Sequence, residues 1–217
     1  MPSRIDTFFS EGDREAIRAA TAEAERTTSG ELVVYVVERC DPYPEVAWKG
    51  ALIGGAVGAA CGAIAVRLFG GWGAPDELWL LIGLQLGLLG GWLASRFEGV
   101  ARKLIGDEAL SSRVDGRAAE AFIEENVFAT AERTGVLLFL ALFEHRVLVL
   151  ADEGIRERVN PGAWEGIATD LAAGIRGGAP ASALTDAVTR CAALLSAHGV
   201  PANTSNELSN QPRFRDE

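Results

Sequence analysis

Two runs of this chain carry no charged residue: Gly50–Val66, bounded by Lys49 and Arg67, and Leu78–Ser95, in which Gln85 is the one clearly polar side chain. At about 1.5 Å per helical residue the first run covers roughly 26 Å, close to the ~30 Å hydrocarbon thickness of a bilayer. Leu68 and Phe69 extend it if Arg67 snorkels toward the headgroups. The linking segment 70–77 is rich in Gly, Pro and acidic residues, and Trp72 and Trp79 fall where interfacial aromatics sit. The sequence therefore predicts a transmembrane helical hairpin over residues 46–98, with the lipid bilayer as the first partner. The N-terminal stretch MPSRIDTFFSEGDRE has no apolar core of signal-peptide type, so insertion is expected from this internal block.

Glycines recur every four residues in both runs, at Gly50, Gly54, Gly58 and Gly62 and at Gly83, Gly87 and Gly91. That spacing puts each set on one helix face, the small-residue pattern that lets two backbones approach closely in lipid. The faces can meet within the hairpin or join two chains in a homo-oligomer, and the spacing allows both. Arg39, Lys49, Arg96, Arg102 and Lys103 flank the block on the side away from the turn, against Arg67, Asp76 and Glu77 at the turn. The positive-inside tendency then predicts a multi-pass protein of the inner (plasma) membrane with its soluble domain in the cytoplasm.

Outside this block the chain is acidic. A net charge of −10 argues against nucleic acid as a partner, since phosphate recognition needs a basic stripe. Cys40, Cys61 and Cys191 are odd in number and irregularly spaced, which reads as reduced thiols rather than a disulfide framework. Ser10-Glu11-Gly12-Asp13 resembles a capping box opening a helix to about Arg26, and Leu32–Val37 is an unbroken apolar run expected of a strand covered on both faces. After the hairpin the pattern predicts a helix over 102–131. Two strands in a hairpin follow, 136–143 and 147–151, turning at Glu144-His145-Arg146. Further helices are expected from Asn160-Pro161 to about Ile175 and over 182–197. Gly30 and Gly135 each stand between a helix end and a strand and are able to take positive φ. The expected organisation is a first half-domain at 1–45, the hairpin at 46–98, a second half-domain at 99–198 and a disordered polar tail at 199–217.

The order of short motifs carries a resemblance. A helix leads through Thr28-Ser29-Gly30-Glu31 into a strand; Arg133-Thr134-Gly135-Val136-Leu137-Leu138-Phe139 opens the second strand; Val149-Leu150-Ala151-Asp152-Glu153-Gly154-Ile155 closes the third; and a helix containing Trp164 follows. Together these resemble the TPM domain family, over about Phe8–Val37 and Ala118–His198, and Asn206-Glu207-Leu208 is similar to a segment following the domain in one bacterial branch. The family includes plant thylakoid-lumen proteins linked to photosystem repair. The resemblance implies an α/β fold, a compact sandwich of helices on a small mixed sheet. For some members it implies acid phosphatase activity or Ca²⁺ binding. The usual layout has a signal peptide before the domain and a membrane helix after it, whereas here the hairpin interrupts the domain after its first strand.

For chemistry, Asp152 and Glu153 follow the third strand and Asp41 follows the first. If those strands run parallel, their carboxyl ends share an edge where carboxylates could hold Ca²⁺, with Glu157 as a further ligand. Asp152 can equally cap the next helix while Glu153 favours its positive end. Glu31, which matches a family position, reads as a solvated edge residue or ion-pair partner. No phosphate-cradling Cys loop, Asp-x-Asp pair or Walker loop is present, and His145 and His198 are isolated. Whether the chain is an enzyme stays open. The sequence favours a membrane-tethered interaction module for membrane-protein assembly or repair, with a weak Ca²⁺-dependent acid phosphatase as the alternative.

Overall fold

The computed structural model describes residues 4–28, 30–69, 75–198, 200 and 208–215. The chain divides into two compact units, one formed by Met1–Asp41 with Ser112–Glu217 and the other by Pro42–Ser111.

The first unit is mixed α/β. Its sheet has the order β3-β2-β1-β4, from β1 (Leu32–Val37), β2 (Val136–Ala141), β3 (Arg146–Ala151) and β4 (Arg213–Arg215). β1 runs parallel to β2, with Leu32 opposite Val136 and Val37 opposite Ala141, and parallel to β4. β3 returns antiparallel to β2, so Ala151 lies opposite Val136. All six β1 residues and all six β2 residues are buried, as an unbroken apolar run demands.

Alternate side chains feed two cores. Leu32, Val34 and Val36 join Val136, Leu138 and Leu140 against α2 (Glu11–Thr27), α8 (Pro161–Arg176) and α9 (Pro180–Ala197). Val33, Tyr35 and Val37 join Leu137 and Phe139 against Val114, Ala118 and Ala121 of α6 (Asp107–Glu124). The second core also holds a buried cation: Arg117 donates to the Tyr35 hydroxyl at 2.6 Å and to Glu124 at 3.2 Å.

Local chemistry explains the helix ends. Ser10 accepts the Asp13 N–H at 3.2 Å while Asp13 accepts the Ser10 N–H at 2.9 Å, the expected reciprocal box. Asn160 caps α8 through the Gly162 N–H, with Pro161 in the first turn. The helix expected over 102–131 is instead broken into α5 (Glu98–Ile105) and α6 at Gly106, whose φ of 87° ends one and frees the chain to start the next. A short helix α1 (Arg4–Phe8) and the four-residue α7 (Glu153–Arg156) had no periodic signature. In the expected disordered tail, Arg213–Arg215 form β4, paired beside Tyr35–Val37, and Phe214 packs on Phe9 at 5.6 Å. Neither Gly30 nor Gly135 uses the positive φ open to it, and Gly135 has a steric role instead. It is needed because a Cβ there would collide with the Val127 backbone and side chain. Ser29, Trp72 and Asn206-Glu207 lie outside the described residues.

In the second unit, α3 (Glu45–Phe69) and α4 (Asp76–Ala94) pack against each other along their glycines and are long and apolar enough to cross a membrane. A Cβ at Gly54 would lie 2.7 Å from the Gly91 Cα, and one at Gly87 would lie 2.9 Å from the Gly58 Cα. The two glycine faces thus meet within the hairpin, and the same backbone surface is not left for a second chain. No α4 residue is buried, and Leu52, Leu68 and Leu86 are 67%, 70% and 65% exposed. Lys49 reaches the Leu104 carbonyl at 3.1 Å, joining α3 to the end of α5.

Replacing Gly54 or Gly87 with Leu should push the helices apart and destabilise the hairpin by about 1–3 kcal/mol, whereas Gly90→Leu, where a side chain meets open space, should be tolerated. Thermal unfolding of the full chain in a non-ionic detergent checks this; equal midpoints for all three variants would rule out close packing at the glycines.

Candidate functional site

The sheet topology first decides which carboxylates can cooperate. β1 and β3 are antiparallel through their common neighbour β2, so Asp41, beyond the end of β1, and Asp152, beyond the end of β3, lie at opposite edges. Six strand residues at ~3.3 Å each separate those edges by on the order of 17 Å. The expected convergence of Asp41 with Asp152, Glu153 and Glu157 therefore does not occur. Asp41 instead pairs with Arg113 at the other edge.

Asp152 is 5% exposed and fully engaged. It caps α7 by accepting the Glu153 N–H at 2.8 Å, and it accepts two bonds from Arg133, 2.6 Å from Nε and 2.8 Å from Nη2. Burial alone would raise its pKa. The Arg133 guanidinium, the Glu153 N–H and the charges of Arg133 and Arg156 more than offset that, and the carboxyl sits below the usual aspartate range. Arg133 reaches this position with φ 56°, and a Cβ on Gly154 would lie 2.5 Å from the Glu132 carbonyl oxygen. The Arg-Thr-Gly and Asp-Glu-Gly motifs are thus one lock between the loop before β2 and the start of α7. Glu153 and Glu157 are exposed on α7 and at its C-terminal end, and no three Asp, Glu, His or Cys residues converge among the described residues.

The same edge holds a carboxylate pair that motif reading undervalued. Glu31, expected to be a solvated edge residue or ion-pair partner, is 4% exposed. It accepts the Leu208 N–H at 3.3 Å, while its own carbonyl accepts the Val136 N–H at 2.8 Å. Glu25 accepts the Leu32 N–H at 3.3 Å and the Asn210 side-chain amide. Burial, followed by the neighbouring Glu31 charge, pushes the Glu25 pKa from 4.5 up to about 8, against the pull of the Leu32 N–H. At neutral pH the site therefore retains a proton. Beside it, Thr28 accepts the Gly30 N–H at 3.1 Å and donates to the Val200 carbonyl at 3.1 Å. A signal did exist in the sequence: Glu25 sits in the last turn of α2, where the helix dipole disfavours an acid.

Such a pair can do two things chemically. It can share a proton, or it can exchange that proton for a divalent cation bound through oxygen. Cys40 and Cys191 are poor nucleophiles: burial raises the Cys191 pKa to about 12, and burial with the nearby Glu144 charge raises that of Cys40.

No family model and no curated protein matches the chain. Among solved structures the chain is similar to the NMR structure of the BA42 protein from the psychrophilic bacterium Bizionia argentinensis. The TM-score is 0.58 at 16% identity, over 97% of this chain and 98% of that one. At this identity the likeness concerns the fold alone.

The raised pKa of Glu25 has a defined sign. Between about pH 4.5 and 8 the folded state keeps a proton that the unfolded state releases, so its contribution is full below 4.5 and is lost as pH rises through 8. Glu25→Gln should therefore gain stability over the wild type between pH 5 and 9, on the order of 2 kcal/mol after allowing for partial exposure. A gap in unfolding midpoint that stays constant over this range would contradict the raised Glu25 pKa.

Proposed function

We propose that the chain is a membrane-tethered interaction module in which a TPM-like domain is held at the bilayer by the α3–α4 hairpin. The observation that carries this reading is the division of labour on those helices. Their glycine faces are used up against each other, and their large apolar side chains point outward, where water would be a poor solvent for so extensive a patch. The basic residues flanking the hairpin favour the soluble unit on the cytoplasmic side of the inner membrane. A module fixed there through both of its halves is suited to holding other membrane proteins during assembly or repair. The order of the short motifs around β1, β2 and α7 supports the TPM-like reading.

A second reading, a weak Ca²⁺-dependent acid phosphatase, is favoured by one observation. Glu31 is buried, Glu25 beside it is half-buried, and the pair holds a proton that a cation could replace. On this reading the ligands shift from Asp152, whose oxygens are occupied by Arg133 and the α7 N–H, to Glu25 and Glu31.

The two are separated by cross-linking the full chain in its native membrane and, in parallel, assaying the purified protein with p-nitrophenyl phosphate and Ca²⁺. The interaction reading expects reproducible membrane-protein adducts and no turnover above background. Robust Ca²⁺-dependent turnover abolished by Glu31→Gln, with no adduct recovered, would replace it by the phosphatase.

A further inference from the structure

The two ends of the sheet differ in charge. The edge at the start of β1 carries Glu25, Glu31, Glu132, Asp152 and Glu153. The edge at the end of β1 carries Arg39 over the Phe143 ring at 3.9 Å, and His145 and Arg146 at the β2–β3 turn. Arg215, opposite Val37, lies there too, as does Arg176 at the end of α8. Of the acids there, Asp41 pairs with Arg113 and Glu125 with Arg215, whereas Glu38 and Glu144 accept the Arg4 and Cys40 backbone N–H groups and keep their charge. In a chain of net charge −10 this is a local concentration of cations.

This edge is also where the chain departs for the hairpin. Asp41 is the last residue of the first unit before α3, and Pro42-Tyr43-Pro44 alone separate it from Glu45. Arg113, one residue into the returning segment, pairs with Asp41, so exit and re-entry are held at one corner. Three linking residues span at most about 10 Å.

A cleft of about 120 Å³ opens on this edge. Phe8, Leu142, Val147 and Ile175 line it, with His145 and Arg176 also on its wall. His145 is exposed with φ 56°, and Arg176 is exposed and makes no ion pair among the described residues. An apolar floor beside an available guanidinium matches a phospholipid, with the phosphate on the arginine and the glycerol and first methylenes in the cleft.

We propose that this basic edge and its cleft bind anionic phospholipid of the membrane that holds the hairpin, pinning the domain to the headgroup layer. The proposal rests on the membrane-crossing reading. Juxtamembrane cations gain from the negative surface potential of anionic lipid within about a Debye length, and that gain is screened by salt.

The test uses the full chain in nanodiscs of phosphatidylcholine alone or with about one third phosphatidylglycerol, followed by amide hydrogen exchange. Segments 139–148 and 170–178 should exchange roughly fivefold more slowly in the anionic discs, and this protection should vanish in Arg176→Glu. Arg176→Ala, a milder change at an exposed site, should lose most of it. Equal exchange in both discs, with 50–69 and 76–94 protected in each, would overturn lipid binding and leave the crossing intact. Protection that follows the number of chains per disc rather than lipid charge would assign the face to a second copy and also overturn it. Failure of 50–69 and 76–94 to be protected in either disc would remove the crossing and this proposal with it.

Discussion

The architecture depends on the pairing of β1 with β2. β1 is buried on both faces and supplies alternate side chains to both cores, yet its partner Val136 lies 104 residues after Leu32. Between them the chain completes the entire α3–α4 hairpin before α6 returns it to the sheet. The parallel pair therefore closes a loop that contains the whole hairpin, and loop closure of this length must be repaid by non-local contacts. The Asp41–Arg113 pair and the Glu144 carboxylate on the Cys40 N–H hold the departing strand where that closure takes place. A large insertion is tolerable in such a domain because its two ends are fixed at one corner.

Features governed by local periodicity were legible in the sequence. The capping box at Ser10, the doubly buried run of β1 and the β2–β3 hairpin follow from spacing and residue type, and so does the four-residue glycine repeat. Gly106 was passed over because a single glycine inside a helical pattern rarely decides anything, although here its positive φ splits one helix into two. β4 was missed because Arg-Phe-Arg becomes a strand only by pairing with an edge that exists after folding.

The site was less legible, and strand direction explains why. Asp41 and Asp152 both follow strands, and no local pattern states that β1 and β3 run in opposite senses. The Asp-Glu-Gly motif signals geometry rather than a ligand: its Asp is a cap and a partner of Arg133, and its Gly is where two backbones meet. Glu25 and Glu31, six residues apart across a helix end, come together only because the chain folds back and residues 208–210 cover them. An acid placed against the helix dipole was the available clue.

The central claim is that α3 and α4 cross a bilayer and return the chain to the side it left. The direct measurement is labelling of the full chain in sealed vesicles with a membrane-impermeant maleimide, after replacing the three native cysteines and introducing Glu23→Cys, Glu77→Cys or Asp186→Cys singly, all at exposed positions. The expected result is that Glu23→Cys and Asp186→Cys react from one side and Glu77→Cys only from the other. Reaction of all three from the same side would contradict the crossing.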